Sequence, residues 1–137
     1  MQENGTLVDS NVLLDIATED AQWFSWSQQR LHQAAENGLV FINQVIFAEV
    51  SASYHTIEEI ENRVPADDFI RASIPWEAAF LAGKCFLRYR RSGGTRRSPL
   101  PDFFIGAHAV ISSLVLLTRD AARYRTYFPG LRLICPD

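Results

Sequence analysis

Leu114-Val-Leu-Leu-Thr118 is a run of apolar residues closed by a hydroxyl, and its reading decides the fold. A strand with one wet face alternates apolar and polar side chains, whereas a strand covered on both faces does not. This run therefore predicts a central strand of a parallel sheet. Upstream, Pro101 opens a predicted helix that runs to about Ser113, since proline is tolerated in a first helical turn. Downstream, Asp120 to Tyr127 predicts a short helix, and Leu131 to Ile134 a last strand. The N-terminal half repeats the alternation. Thr6-Leu-Val-Asp9 predicts a buried first strand, and Ser10-Asn11 can cap a helix from Val12 to Ala17. Asp20 to Asn37 reads as a long helix stopped by Gly38, followed by a second strand from Leu39 to Asn43. Gln44 to Tyr54 and Thr56 to Arg63 read as helices, Ala66 to Ile74 as irregular or a short strand, and Pro75 to about Arg91 as a helix. Ser92 to Leu100 is the one obvious loop. Strands alternating with helices imply an α/β domain whose parallel sheet is covered on both faces.

The 137 residues suit a single domain spanning 1–137 around one core. Hydrophobic residues make up 47% and charged residues 21%, the profile of a globular chain and not of a disordered one. No apolar run approaches the roughly 20 residues of a membrane span. The start, Met1-Gln-Glu-Asn-Gly, lacks the basic residues and apolar stretch of a signal peptide, so a cytoplasmic protein without membrane association is expected. Cys85 and Cys135 have no C-x-x-C spacing and are read as reduced, buried thiols, with a disulfide left open.

The net charge of −3 hides an asymmetry. Met1 to Ala79 carries 13 acids and 3 bases, whereas Phe80 to Asp137 carries 3 acids and 10 bases. Two readings stay open: two halves that attract each other, or a cationic rim around an acidic pocket suited to a polyanion. Of the 13 bases only Lys84 is lysine, and arginine grips phosphate in bidentate fashion, although genome composition alone can also enrich it.

Acids placed at strand ends and helix starts are the candidate site. Ligands of open parallel sheets bind beyond the carboxyl ends of the strands, near the point where strand order reverses. Asp9 ends the first strand, Asp120 lies just past the Leu114 strand, and Glu49 stands about two helical turns after the second strand. Asp102 begins the helix opened by Pro101, beside Phe103 and Phe104. Each has a plainer reading: Asp9 and Asp120 as helix caps, Asp102 as complement to a helix dipole, Glu49 as the edge of a helix face. Ser10 or Asn11 could cap as well as Asp9, so Asp9 is not needed there. Glu49 is odd in its own right, because its helical neighbours Val45, Ile46, Ala52 and Ser53 are apolar or small and a buried charge needs a partner. Strand alternation aims Thr118 and Asp120 to the same side. Two hard divalent cations caged by Asp and Glu oxygens can activate water and neutralise a phosphodiester.

Five segments, in order, carry a family resemblance: Leu7-Val-Asp-Ser-Asn-Val-Leu-Leu-Asp15, Asn43-Gln-Val-Ile-Phe-Ala-Glu-Val50, Tyr89-Arg-Arg-Ser-Gly-Gly94, Leu100-Pro-Asp-Phe-Phe-Ile-Gly-Ala-His-Ala109, and Leu117-Thr-Arg-Asp120 with Tyr127-Phe-Pro129. Together they resemble the PIN-domain nucleases, most closely the VapC-type toxins of bacterial toxin–antitoxin pairs. The resemblance implies a three-layer α/β/α sandwich around a mostly parallel sheet. It implies an endoribonuclease dependent on Mg2+ or Mn2+ that acts on structured RNA such as tRNA or rRNA. It further implies a homodimer and a small antitoxin protein as partner. Asp9, Glu49, Asp102 and Asp120 match the family's catalytic, metal-binding acids, and Asn11 and Thr118 match positions that orient the site. Many relatives carry a further aspartate where this chain has Arg123. Arg96, Arg97 and Arg119 are candidate RNA contacts. Trp23, Phe24 and Trp26 are read either as core aromatics or as an antitoxin groove, and His108, six residues from Asp102 and off its helical face, as structural. Two other functions compete. One is a PIN-like module that binds RNA or protein without catalysis. The other is a phosphatase using Asp9 as an aspartyl nucleophile, because Asp9-Ser-Asn11 resembles that motif of haloacid-dehalogenase-type enzymes, whose lysine only Lys84 could supply.

Overall fold

A computed structural model describes residues 5–137. The residues before Gly5, on which part of the localisation expectation rests, lie outside them. The chain runs β1 (Thr6–Val8), α1 (Ser10–Ala17), α2 (Phe24–Asn37), β2 (Val40–Ile42), α3 (Gln44–Ser51), α4 (Ile57–Arg63), β3 (Ile70–Arg71), α5 (Trp76–Arg91), α6 (Pro101–Ile111), β4 (Val115–Leu117), α7 (Ala122–Tyr127) and β5 (Leu133–Ile134). The strands form one sheet in the order β3-β2-β1-β4-β5, and every pairing is parallel. Helix α1 packs on α2 and α3, α6 packs on α5 and α7, and α3 also meets α6, so helices flank the central sheet. This is the expected three-layer α/β/α sandwich.

The apolar run around β4 behaves as its pattern requires: Leu116 and Leu117 are fully buried, as are Leu7 and Val8 on the neighbouring β1. The register pairs Val8 with Leu117, so the residues that follow, Asp9 and Thr118, emerge side by side. The chain leaves β1 toward β2 on one side, while β4 and β5 lie on the other. Asp9 and Thr118 thus stand at the switch point where such sheets bind ligands. Helix α6 comes so close to Phe128 that a Cβ on Gly106 would lie 2.3 Å from its ring. That contact sets α6, and therefore Asp102, against the end of α7.

Several element boundaries differ from expectation for identifiable reasons. Helix α2 starts at Phe24 and not Asp20, because the Asp20 carboxylate accepts from the N–H groups of Gln22 and Trp23 and holds a separate turn. Asp9, and not Ser10 or Asn11, is the N-cap of α1, its carboxylate accepting from Ser10 N–H. Asp120 caps nothing: α7 begins at Ala122 after Ala121, with no side-chain cap. Asn43 caps α3, and a full capping box of Thr56 and Glu59 starts α4. The 66–74 segment does contain a short strand, β3. Both cysteines are free, but only Cys85 is buried; Cys135 is half-exposed and accepts from Arg125.

Candidate active site

Strand end, helix start and helix face converge at the carboxyl edge of β1 and β4. Asp9 is 3% exposed and its carboxylate is fully engaged. Oδ1 accepts from the backbone N–H of Ser10 at 2.8 Å. Oδ2 accepts from the Thr118 hydroxyl at 2.8 Å and from the Tyr124 hydroxyl at 2.9 Å. Burial pushes the Asp9 carboxyl up to about 6, and the nearby charge of Asp102 adds to it, while the two hydroxyls and Ser10 pull the other way.

Asp102, in the first turn of α6, is half-buried and lies 3.3 Å through Oδ1 from the same Tyr124 hydroxyl. Its Oδ2 accepts from Arg123 Nη1 at 3.4 Å. Burial raises its carboxyl, Arg123 and Tyr124 oppose the rise, and Asp120 adds to it. Glu49 stands on α3 and accepts from the Ser10 hydroxyl at 2.8 Å, so the donor that an apolar helix face demanded is Ser10. Burial raises Glu49 as well, and the charge of Asp102 contributes. Asp120 keeps its carboxylate exposed, while its backbone N–H donates to Thr118. Thr118 is buried and Asp120 exposed, and the two meet through the Asp120 backbone rather than its carboxylate.

Asn11 and Thr118 lock the two strand ends together. Asn11 Nδ2 donates to Thr118 Oγ1 at 3.2 Å, and its Oδ1 accepts the backbone N–H of Arg119 at 3.1 Å. Beneath them, Asn43 and His108 tie α3 to α6. Asn43 Oδ1 accepts from Ile46 N–H, which leaves Nδ2 facing His108 Nδ1 at 3.0 Å. Nδ1 must then be the acceptor and Nε2 the protonated nitrogen. Burial lowers the His108 pKa and agrees with a neutral ring.

Arg119 turns one edge of its guanidinium onto Asp15. Its Nε and Nη2 hold the two oxygens of buried Asp15 at 2.8 and 2.9 Å, and its guanidinium lies 5.7 Å from the Trp23 ring centroid. An RNA contact by Arg119 would have to use its remaining Nη1 edge or share the guanidinium with Asp15. Arg96 and Arg97 are exposed on the loop, which is fixed by Arg90 donating to Arg96 O at 2.6 Å. Trp26 packs against the core and meets Trp23 edge to face at 6.1 Å, while Trp23, Phe24 and Trp26 all stay half-exposed. Lys84 lies exposed against Phe80, 5.1 Å from its ring, and makes no contact with Asp9.

Sequence reasoning missed Tyr124 and gave Ser10 only a capping role. Tyr124 is 1% exposed, yet its hydroxyl stands between two acids. A tyrosine three residues into a short helix carries no periodic signal that separates it from a core aromatic.

Among the described residues, no three His, Cys, Asp or Glu side chains come close enough together to hold a metal ion. The donor chemistry nevertheless fits a hard divalent cation. The acidic groups offer oxygen donors, and Asp9, Glu49 and Asp102 are each disfavoured as anions by burial, with the charge of Asp102 adding to the first two and that of Asp120 to Asp102. A cation is what such a set lacks.

Comparison with known proteins places this geometry. The sequence matches the PIN domain family over residues 6–129. No curated protein matches it in sequence. Its structure is similar to the VapBC complex of Rickettsia felis bound to a promoter DNA fragment, with a TM-score of 0.72 at 15% identity, covering 96% of this chain and 98% of that one. It is similar to a VapBC complex of nontypeable Haemophilus influenzae, with a TM-score of 0.70 at 15% identity over 95% and 96% of the two chains. A toxin–antitoxin complex of Klebsiella pneumoniae matches with a TM-score of 0.65 at 23% identity over 95% and 96%. The fold, the five ordered segments and the match over most of the chain give one conclusion: this protein belongs to the PIN-domain family.

Proposed function

We propose that the chain, as a single PIN-type domain, is a metal-dependent endoribonuclease and the toxin of a toxin–antitoxin pair. One observation supports this above the others: Asp9 and Asp102, from separate elements, share the Tyr124 hydroxyl at the switch point of the sheet. Asp9, Asp102 and Glu49 would hold Mg2+ or Mn2+, with Asp120 as an outer, exposed acid. Bound there, a divalent ion supplies charge neutralisation at the phosphoryl oxygens and an activated water. The protein's own part is to orient. Thr118 and Ser10 N–H fix the Asp9 carboxylate, Asn11 fixes Thr118, and Ser10 Oγ fixes Glu49. Arg96 and Arg97, exposed beside the start of α6, would meet the phosphates of structured RNA such as tRNA or rRNA. The likeness to toxin–antitoxin complexes supports an antitoxin protein as partner, and the same reading takes the chain to be a homodimer in the cytoplasm. Among the described residues no helix is long and apolar enough to cross a membrane.

A catalytically silent module that binds RNA or protein is the second reading, favoured by the lack of a three-ligand grouping among the described residues. Purified protein incubated with total tRNA and rRNA separates the two. Cleavage that needs Mg2+ or Mn2+, stops in EDTA and is lost in Asp102→Asn supports the nuclease. Binding without cleavage under every metal condition would leave the silent module.

A further inference from the structure

We propose that Tyr124, seconded by Arg123, is a latch that holds Asp9 and Asp102 in the metal-free protein and competes with a divalent cation for them. The inference rests on the metal-binding reading given above. A carboxylate oxygen offers about two lone-pair sites. Asp9 Oδ2 already accepts two short hydroxyl bonds, Thr118 at 2.8 Å and Tyr124 at 2.9 Å, with Asn11 Nδ2 farther off at 3.5 Å, so a new ligand at that oxygen must displace one of the hydroxyls.

Thr118 is the fixed donor. It is fully buried, and its oxygen accepts from Asn11 Nδ2 and from Asp120 N–H, both at 3.2 Å. Turning its hydroxyl away would break a net joining β1 to β4. Tyr124 is the donor that can yield. Its hydroxyl makes one further contact, 3.3 Å to Asp102 Oδ1, and lies between the two acids. A hydroxyl has one proton and can donate to only one of them at a time. Arg123, the preceding residue on α7, takes the far oxygen of Asp102 at 3.4 Å. The hydroxyl and the guanidinium together supply the donors and positive charge that a cation would otherwise bring. A cation entering between Asp9 and Asp102 must move the Tyr124 hydroxyl and compete with the Arg123 charge.

The test is Mn2+ binding to the full chain, read from the electron paramagnetic resonance signal of free Mn2+. Wild type is compared with Tyr124→Phe, Arg123→Gln and Asp9→Asn. Tyr124→Phe keeps the ring that fills the core and leaves the charge unchanged, so its effect isolates the hydroxyl. The latch predicts binding about tenfold tighter in Tyr124→Phe, the scale of one charge-assisted hydrogen bond no longer displaced. It predicts tighter binding in Arg123→Gln, with the gain shrinking as salt is raised, as befits a half-exposed charge. Affinity in Tyr124→Phe that is unchanged or weaker overturns the latch and makes the hydroxyl a support for the ligands. Should Tyr124→Phe fail to fold, unchanged affinity in Arg123→Gln at low salt overturns it instead. No Mn2+ binding in either wild type or Tyr124→Phe overturns the metal reading, and the latch with it. Binding in wild type that Asp9→Asn abolishes keeps the metal reading whichever way the latch falls.

Discussion

Replacing Asp9 by Asn should flatten the dependence of stability on pH. The Asp9 carboxyl rises from an ordinary 3.8 to about 6 in the folded protein, chiefly because it is buried. The folded state therefore holds this proton more tightly than the unfolded chain does. Its stabilising contribution is full below 3.8 and is lost as pH climbs to and through 6. That rise corresponds to about 3 kcal/mol between the two ends of the window. Glu49 and Asp102 are raised in the same direction and steepen the slope further. Asn at position 9 cannot ionise. It also loses acceptor capacity toward Thr118 and Tyr124, at about 1 kcal/mol each, but that loss is nearly independent of pH. The slope, not the absolute stability, is thus the clean readout. Urea unfolding in chelator from about pH 4.5 to 8 should show wild type losing stability as pH rises. Asp9→Asn should lose about 2 kcal/mol less over this range, which begins above 3.8 and so captures only part of the full difference. Equal slopes in the two proteins, or wild-type stability that rises with pH, would refute the reasoning that Asp9 is held as a desolvated carboxyl.

Other predictions follow from single interactions. Arg119→Met leaves buried Asp15 with only the Ser27 hydroxyl at 2.7 Å and should cost about 2–3 kcal/mol of stability in urea unfolding. A loss near zero would mean that Asp15 finds water instead. Gly106→Ala puts a methyl into the Phe128 ring and should cost about 1–3 kcal/mol, seen as a lower Tm. An unchanged Tm would show that α6 and the Phe128 ring can part without penalty. Arg96→Ala with Arg97→Ala should weaken RNA binding and lower the slope of log affinity against log salt by about one for each phosphate no longer neutralised. An unaltered slope would remove the loop from the RNA surface.

The fold was legible because its evidence is periodic. Unbroken apolar runs at β1 and β4 can exist only in a sheet covered on both faces, and that is where they lie. Helix ends were harder, since Asp20 and Asp9 use their carboxylates on nearby N–H groups and shift boundaries by a few residues. Within the site, Glu49 was legible because an acid on an apolar helix face must find a donor, though nothing in the sequence named Ser10 as that donor. For Asp9, capping and a place in the site are alternatives only on the level of sequence; one oxygen caps α1 while the other faces Thr118 and Tyr124. Tyr124 was illegible because its role depends on two acids distant in sequence. The Asn43–His108 pair was illegible for the same reason. Each lies six residues from an acid on its own helix, outside helical register, and they meet only when α3 and α6 pack.

The central claim is that this carboxylate site cuts RNA. Mapping new RNA 5′ ends after inducing the wild-type chain, beside an equal level of Asp9→Asn, tests it most directly. The account predicts new ends confined to a few positions in structured RNA with wild type and none with Asp9→Asn. The same ends in both, or none in either, would contradict it.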